Sequence, residues 1–402
     1  MNKQKVVVIG ISYSSRLCLV RSLARVGYEV SVIQITGESS SGRGYRKPYD
    51  AYSKYVKALY CCHKDREELL SILKNIKDKD ESQKIVLIPD CDFSVSAIDS
   101  LHNQLKDYFL FPNIRLEQGE VIAWMDKVRQ KELAMQVGLH VAGATIISIQ
   151  DGKYIIPENI SYPCFPKPLT SAVGGKGGMV RCDNQTQLRS ALDKIVAERV
   201  STLDVMVEDY KEIETEYAVV GLSDGEHVVI PGIITLLSVS RSHKGIANRG
   251  QISPIMGFES LIEKFRQFVI AVGFVGMFDI DFYQADGTYF FGELNLRFGG
   301  SGYAAIRRGV NLPVMLVKHL TGESIEGMQQ EVKTSAYYTN ERMCLDDYAS
   351  GCITHQEYKY FLKNADIRFV YDKDDPKPYR QFQKGYRIVQ IKKIIKRVLG
   401  RK

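Results

Sequence analysis

Residues 6–10, Val-Val-Val-Ile-Gly, form an unbroken apolar, β-branched run that ends in glycine. Such a run predicts a strand buried on both faces. Between Arg16 and Val26 the apolar residues change to helical spacing, with Leu19, Val20, Leu23 and Ala24 on one side and Gly27 placed to cap the end. Residues 28–35 read as the next strand. Strand, helix and strand in that order predict a parallel sheet covered by helices. Residues 84–92 repeat the strand pattern and end in Asp90 and Asp92. Those aspartates fall at the carboxyl end of the strand, where open α/β sheets place their ligands. The polar stretch 36–58, rich in Gly, Ser and Tyr, reads as a loop or irregular crossover. The turn after the first strand, Gly-Ile-Ser-Tyr-Ser-Ser-Arg, lacks the G-x-G-x-x-G spacing, so no dinucleotide site is read there.

From about residue 116 the pattern changes. A helix is predicted from Trp124 to Val137, closed by Gly138, and short strands follow it. Residues 276–298 read as a β-hairpin. Phe278, Ile280 and Phe282 alternate with Asp279 and Asp281, and Ala285-Asp286-Gly287-Thr288 supplies turn residues. On the second arm Leu294 and Leu296 alternate with Glu293, Asn295 and Arg297. A three-residue loop, 286–288, puts Asp281 opposite Glu293. Like charges directly across a strand pair are destabilising unless a cation lies between them. Asp, Glu and Asn offer only oxygen, the ligand set of a hard ion such as Mg²⁺ (or Mn²⁺), which also takes phosphate oxygens. Arg297 projects toward the same region and can hold an anion. The plainer reading is a solvated face of an edge hairpin; an Asn among the charges, followed by Phe-Gly-Gly-Ser-Gly-Tyr-Ala, is unusual for one.

Two further stretches carry candidate chemistry. In residues 165–180, Lys167 sits on a strand-like approach to a loop holding Gly174, Gly175, Lys176, Gly177 and Gly178. Glycines expose backbone N–H groups and let a loop come close to an anion. The spacing is not that of a Walker A loop, and alone it also fits a flexible turn. In residues 205–221, alternation at Val205, Val207, Tyr217 and Val219 predicts two strands. Glu208 and Glu216 flank their connection, which also fits an exposed acidic turn.

In this order, these features resemble the ATP-grasp superfamily over roughly residues 1–325. The most specific part is the E-x-N-x-R run, Glu293-Leu294-Asn295-Leu296-Arg297, with Asp281 twelve positions upstream. The family's usual Pro before the Arg is Leu296 here. The resemblance implies multidomain α/β and α+β architecture. An N-terminal parallel α/β (pre-ATP-grasp) domain spans 1–115. A two-lobed ATP-grasp domain spans 116–325, with its small lobe at about 125–210, and a C-terminal extension spans 326–402. The implied site has Lys127 and Lys167 on phosphate, with Lys167 also toward the adenine side, and Gly174 to Gly178 closing over the β- and γ-phosphates. Glu208, Asp209 and Tyr210 are implied to read adenine through their backbone, and Glu216 to hold the ribose. Asp281, Glu293 and Asn295 are implied as Mg²⁺ ligands, and Arg297 as the arginine beside the transferred phosphoryl group. The implied activity is ATP-dependent activation of a carboxylate as an acyl phosphate for attack by an amine. The alternatives are a bicarbonate-using enzyme related to carbamoyl-phosphate synthase or biotin carboxylase, and a non-catalytic ATP-binding protein. Homodimers are common in this superfamily.

Within 237–252, Arg241, His243, Lys244 and Arg249 are cationic and suit a carboxylate or acyl phosphate; Arg249 is the candidate catalytic residue among them. Composition adds one correction. The net charge is +7, but residues 384–402 carry eight basic residues and no acid, and without them the rest stands at −1. The basicity belongs to the tail, which argues against nucleic acid as a partner. Ile391, Ile394, Ile395 and Val398 fall at helical spacing in that tail, with lysines and arginine between them. Such a helix can lie on anionic lipid or pack on the body. Eight scattered cysteines without C-x-x-C spacing suggest free thiols in a reducing cytoplasm. No stretch is apolar for ~18 residues, so no membrane span is predicted.

Overall fold

The computed structural model describes residues 3–11, 13–36, 48–77, 83–169, 178–198, 202–242 and 246–398. The apolar run at 6–10 becomes the central strand of a five-stranded sheet ordered β3-β2-β1-β4-β5, parallel throughout. Its strands are β1 (Lys5–Gly10), β2 (Glu29–Thr36), β3 (Val56–His63), β4 (Ile85–Pro89) and β5 (Phe109–Leu110). Strand periodicity divides its core. Val6 and Val8 pack with Leu19 and Leu23 of α1 (Tyr13–Ala24). Val7 and Ile9 pack with Leu69 and Leu73 of α2 (Arg66–Lys77) and Ile98 of α3 (Asp92–Ser100). A short α4 (His102–Leu105) precedes β5. Both faces of β1 and β4 are buried, which is why residues 6–9 and 85–89 are apolar at every position.

The chain leaves this sheet after residue 110. β6 (Asn113–Ile114) already pairs with the start of the hairpin strand, at Phe274 and Val275. The helix expected over 124–137 is α6 (Lys127–Gln136), and a short α5 (Glu120–Ala123) precedes it. Asp126 starts α6 by accepting the Arg129 N–H at 2.9 Å, an N-cap inside the apolar-periodic stretch. A small antiparallel sheet follows, ordered β7-β9-β8, from β7 (Ala144–Ile149), β8 (Cys164–Pro168) and β9 (Leu203–Asp209). It is backed by α7 (Gln185–Glu198) through Leu188, Leu192 and Ile195.

The main sheet has nine strands, ordered β15-β14-β10-β12-β13-β16-β17, with β11 beside β10 and β6 beside β14. They are β10 (Thr215–Asp224), β11 (Val228–Val229), β12 (Ile233–Val239), β13 (Ala247–Ser253), β14 (Phe274–Ala285), β15 (Thr288–Asn295), β16 (Ala336–Thr339) and β17 (Ile367–Arg368). One face packs on α8 (Glu259–Val272), where Phe265, Phe268 and Val269 meet Val219, Phe278, Ile280 and Phe282. The other face meets α9 (Tyr303–Arg307) and α10 (Leu312–Leu320) in the cluster that also holds Val6, Val8 and Leu19. That shared cluster joins the two sheets.

Residues 326–398 supply two strands to the main sheet and reach the helix layer of the N-terminal sheet. Alongside β16 and β17 they supply α11 (Glu341–Ser350), α12 (His355–Lys363) and α13 (Pro376–Val398). Just before α13, Asp375 reaches Arg21 of α1. The Arg21 Nε–Asp375 Oδ2 distance is 3.0 Å, and both side chains are buried. Asp375 also accepts from Ser53 Oγ at 2.7 Å and Lys54 N at 3.1 Å. The tail helix extends over the predicted stretch, although side chains beyond Ile391 lie outside the described residues. Among the described residues no helix is long and apolar enough to cross a membrane, and all eight cysteines are free thiols.

Removing one member of a buried pair leaves the other charge uncompensated. Asp375→Ala is therefore expected to lower unfolding stability by about 3–5 kcal/mol. Urea titration measures this; a loss under about 1 kcal/mol is what an exposed pair gives and contradicts the assignment.

Candidate functional site

The site is built on the β14–β15 hairpin. Its turn has two residues, Asp286 (φ 50°) and Gly287 (φ 68°), between the paired Ala285 and Thr288. Positive φ at both positions fits the right-handed twist of the arms. The expected loop had three residues. The structure puts the extra residue elsewhere: the ladder shifts by one between Asp281/Glu293 and Phe282/Phe291, leaving Gly292 as a bulge. A Cβ at Gly292 would lie 2.8 Å from the Asp281 carbonyl oxygen, so glycine is required there. A shorter turn plus a bulge brings Asp281 opposite Glu293 and Asp279 opposite Asn295, the same pairing by another route.

Asp279, Asp281, Glu293 and Asn295 share the face turned away from α8. The Asn295 amide nitrogen donates to Asp281 Oδ2 at 3.4 Å, and its oxygen accepts from Arg297 Nη2 at 3.2 Å. Asp279 Oδ1 is buried with no hydrogen-bond partner. Burial, helped by the Glu293 charge and opposed by Arg297, pushes the Asp279 carboxyl up to about 6. Burial and then the charges of Asp279 and Glu293 drive Asp281 well above the usual carboxylate range. For Glu293 burial acts upward too, but Lys127, Lys167 and Arg297 outweigh it and hold the group low.

Helix α6 delivers the cations. Gln130 stitches it to β15: its Oε1 accepts the Leu294 N–H at 2.9 Å, and its Nε2 donates to the Leu294 carbonyl at 2.9 Å. Lys127 Nζ then reaches Glu293 Oε2 at 2.6 Å. One turn later Lys131 Nζ meets Glu208 Oε1 at 2.5 Å and the Ala142 carbonyl at 3.1 Å. Lys167 of β8 takes the other oxygen of Glu208, also at 2.5 Å. Burial would raise the Glu208 carboxyl, but Lys167 and Lys131 hold it below its usual value. Burial lowers the Lys131 ammonium against the pull of Glu208. The sequence reading missed Lys131. Its signal was its place four residues after Lys127, on the same helix face.

Other candidates sit less simply. The Glu208 side chain is taken by the two lysines, and the N–H groups of Asp209 and Tyr210 donate to the Gly143 and Pro163 carbonyls at 2.8 and 2.9 Å. Glu216 pairs with Tyr283 across β10 and β14, on the Asp281 face, and burial raises its carboxyl. Gly178 (φ 80°) docks on α7, where a Cβ would lie 2.5 Å from the Ala191 carbonyl oxygen. Gly174, Gly175, Lys176 and Gly177, like His243 and Lys244, lie outside the described residues.

The structure does not bring Arg249 into this group, which corrects the expectation of a catalytic role. The cross-strand row through Asp281 runs Ala218, Ile234, Ile252 and Ala336. Arg249, an odd number of residues from Ile252, points to the opposite face and stacks on Phe361, its guanidinium 4.6 Å from the ring centroid. Arg241 Nη1 is engaged by the Cys352 carbonyl at 3.4 Å.

Arg297 links the hairpin to the N-terminal sheet. Its Nε lies 2.8 Å from Oδ1 of Asp92, the first residue of α3. Burial opposes the Arg297 charge, but Asp92, Asp279 and Asp281 outweigh it and raise the group. Among the described residues no group of three His, Cys, Asp or Glu side chains is arranged to hold a metal alone. The available set is two carboxylates and a carboxamide, which leaves further positions to a ligand's oxygens. Mg²⁺ is commonly bound that way. The crowding of Asp279, Asp281 and Glu293 fits a divalent cation, since one would relieve their mutual repulsion.

No family model matches the chain. The carbamoyl phosphate synthase large chain of Clostridium beijerinckii is 24% identical over 314 residues, covering 74% of this chain and 27% of that protein. This chain thus spans about a quarter of that relative's length. Among solved structures, the L-amino acid ligase from Bacillus licheniformis superposes with a TM-score of 0.62 at 16% identity, covering 84% of this chain and 80% of that one. The N5-carboxyaminoimidazole synthetase from Staphylococcus aureus, complexed with ADP, gives 0.61 at 15% identity over 89% and 87%. With the paired carboxylates on the hairpin and the lysines that converge from α6 and β8, these likenesses give the chain the fold of the ATP-grasp ligases.

Proposed function

We propose that this chain is an ATP- and Mg²⁺-dependent ligase that activates a carboxylate as an acyl phosphate for attack by an amine. The observation that carries the reading is the Asp281–Glu293 pair, crowded by Asp279 and flanked by Lys127 and Arg297. A solvated edge hairpin has no reason to crowd three carboxylates on one face, one of them buried and the other two only partly exposed.

Asp281 and Glu293 would hold the metal. Asn295 would join them by an amide half-turn that exchanges its oxygen and nitrogen. Bound there, Mg²⁺ supplies charge neutralisation to the phosphates. Lys127 is positioned by Asp126 and Gln130, so its ammonium is fixed before phosphate arrives. Lys167 is held by Glu208 and approaches from the small sheet. Arg297 offers its guanidinium to a transferring phosphoryl group, with Asp92 and Asn295 setting its plane. Lys131 supports Glu208 and through it the placement of Lys167. The name of the Clostridium beijerinckii relative keeps bicarbonate open as the activated acid, and the alternative of a mere nucleotide binder predicts no turnover. A homodimer and a lipid contact through the tail are secondary proposals. Co-sedimentation with anionic liposomes is expected to vanish at high salt and on removal of residues after Lys384; insensitivity to both rejects the lipid contact.

Calorimetry is expected to show Mg²⁺-dependent binding of a non-hydrolysable ATP analogue that EDTA abolishes. Asp281→Asn and Glu293→Gln should each weaken it about 100-fold, roughly the loss of one charge-assisted contact to a buried ion. Unchanged affinity in both variants removes the metal assignment.

Turnover is read as phosphate release from ATP with panels of carboxylates, amines and bicarbonate. Arg297→Lys is expected to lower it about 10²–10³-fold while nucleotide affinity stays within a few-fold, as for loss of one transition-state donor. Equal losses in affinity and rate would instead mark Arg297 as a ground-state contact. Release that needs bicarbonate rather than an organic acid moves the reading to the second substrate class.

A further inference from the structure

The carboxyl ends of β1 and β4 meet the hairpin where Arg297 holds Asp92. Gly10 closes β1 at this point. A Cβ there would lie 1.4 Å from Asp90 Oδ1, so only glycine lets the Asp90 carboxylate lie against the turn. Asp90 Oδ1 accepts the Ile11 N–H at 3.0 Å. Its other oxygen, Oδ2, is buried without a hydrogen-bond partner. Beside it the buried Arg16 donates to Asp50 Oδ2 from Nε at 3.0 Å and Nη2 at 2.8 Å, and from Nη1 to the Gly10 carbonyl at 2.5 Å. Asp50 Oδ1 is left buried and without a partner as well.

Among the described residues Arg16 is paired with Asp50 and Arg297 with Asp92, and Asp90 has no ion pair of its own. Burial pushes its carboxyl up to about 7, with Arg16 and Arg297 pulling it down and Asp50 pushing it up. Two orphaned carboxylate oxygens call for a donor that also carries positive charge. A divalent ion needs about six oxygens and finds few here. A primary ammonium brings one charge and three N–H groups, enough for both oxygens. The place is right for a ligand: it is the carboxyl edge of a parallel sheet. The corner also adjoins Arg297, whose Nη2 reaches Asn295 on the metal face.

We infer that Asp90, with Asp50 beside it, is the subsite that takes the amine of the second substrate. This rests on the ligase reading and specifies it: the acceptor is a primary amine held by N–H donation to Asp90 Oδ2 and Asp50 Oδ1. Asp90 takes one proton from the bound ammonium and frees its lone pair. The nitrogen attacks the acyl carbon and the C–N bond forms. The C–O bond to phosphate breaks, its electron pair leaves with phosphate, and the second nitrogen proton departs as hydrogenphosphate.

The test uses the full chain in thermal-shift measurements with MgADP present. Methylamine and glycinamide are the probes, and tetramethylammonium is the control with the same charge but no N–H. MgADP alone is expected to raise the melting temperature. Methylamine or glycinamide should add about 2 °C or more, and tetramethylammonium nothing. Asp90→Asn and Asp50→Asn should keep the MgADP response and lose the amine response. No amine response, an equal response to tetramethylammonium, or a response retained in Asp90→Asn overturns the subsite while the ligase reading stands. No MgADP response overturns the ligase reading itself. Should Asp90→Asn not fold, the comparison of methylamine with tetramethylammonium on the unsubstituted chain decides alone.

Discussion

Asp281 and Glu293 face one another across two strands, with Asp279 two residues away on the same side. Three carboxylates so crowded repel one another when all are ionised, and a cation among them relieves that repulsion. The structure answers this frustration in two ways. Lys127 takes Glu293, and Arg297 leans on the group through Asn295. Asp279 and Asp281 stay uncompensated, with their acidity suppressed. The rest of the architecture serves to keep this charge in place. The α8 aromatics pack the back of β14, α6 is stitched to β15, and the N-terminal sheet grips Arg297 through Asp92.

The small sheet is drawn toward the same face by one acid. Glu208 sits on the middle strand of that sheet and receives one lysine from α6 and one from β8. A carboxylate shared by two ammoniums remains ionised even when buried, because two favourable charges outweigh one desolvation cost. The pair Lys127 and Lys131 therefore works along one helix face in two directions, toward the hairpin and toward the small sheet.

Much of this was legible in the chain. The β-branched run at 6–10 and the alternation in 276–298 are strong periodic signals, and both elements appear where the pattern places them. Charges at alternate positions put Asp281, Glu293, Asn295 and Arg297 on one side without knowledge of the turn. What stayed hidden depends on contacts far apart in sequence. Lys131 looks like an ordinary helix lysine until Glu208, 77 positions away, arrives beside it. Arg249 looked attractive because its neighbourhood is cationic, but one residue of strand parity turns it to the other face. The C-terminal strands were unreadable because β16 has four residues and β17 two, and each gains its partners from the main sheet. Asp126 moves the start of the predicted helix from Trp124 to Lys127, because a cap is a local hydrogen bond that apolar periodicity cannot register.

The bulge at Gly292 has a consequence for how this hairpin can change over evolutionary time. It separates a tip, from Phe282 to Phe291, from a base that carries the carboxylates. A residue gained at the apex and one lost at the kink cancel in their effect on the base. The tip can therefore drift in length and composition in paired steps while the functional row keeps its alignment. A length change at only one of the two points flips that row into the hydrophobic interior.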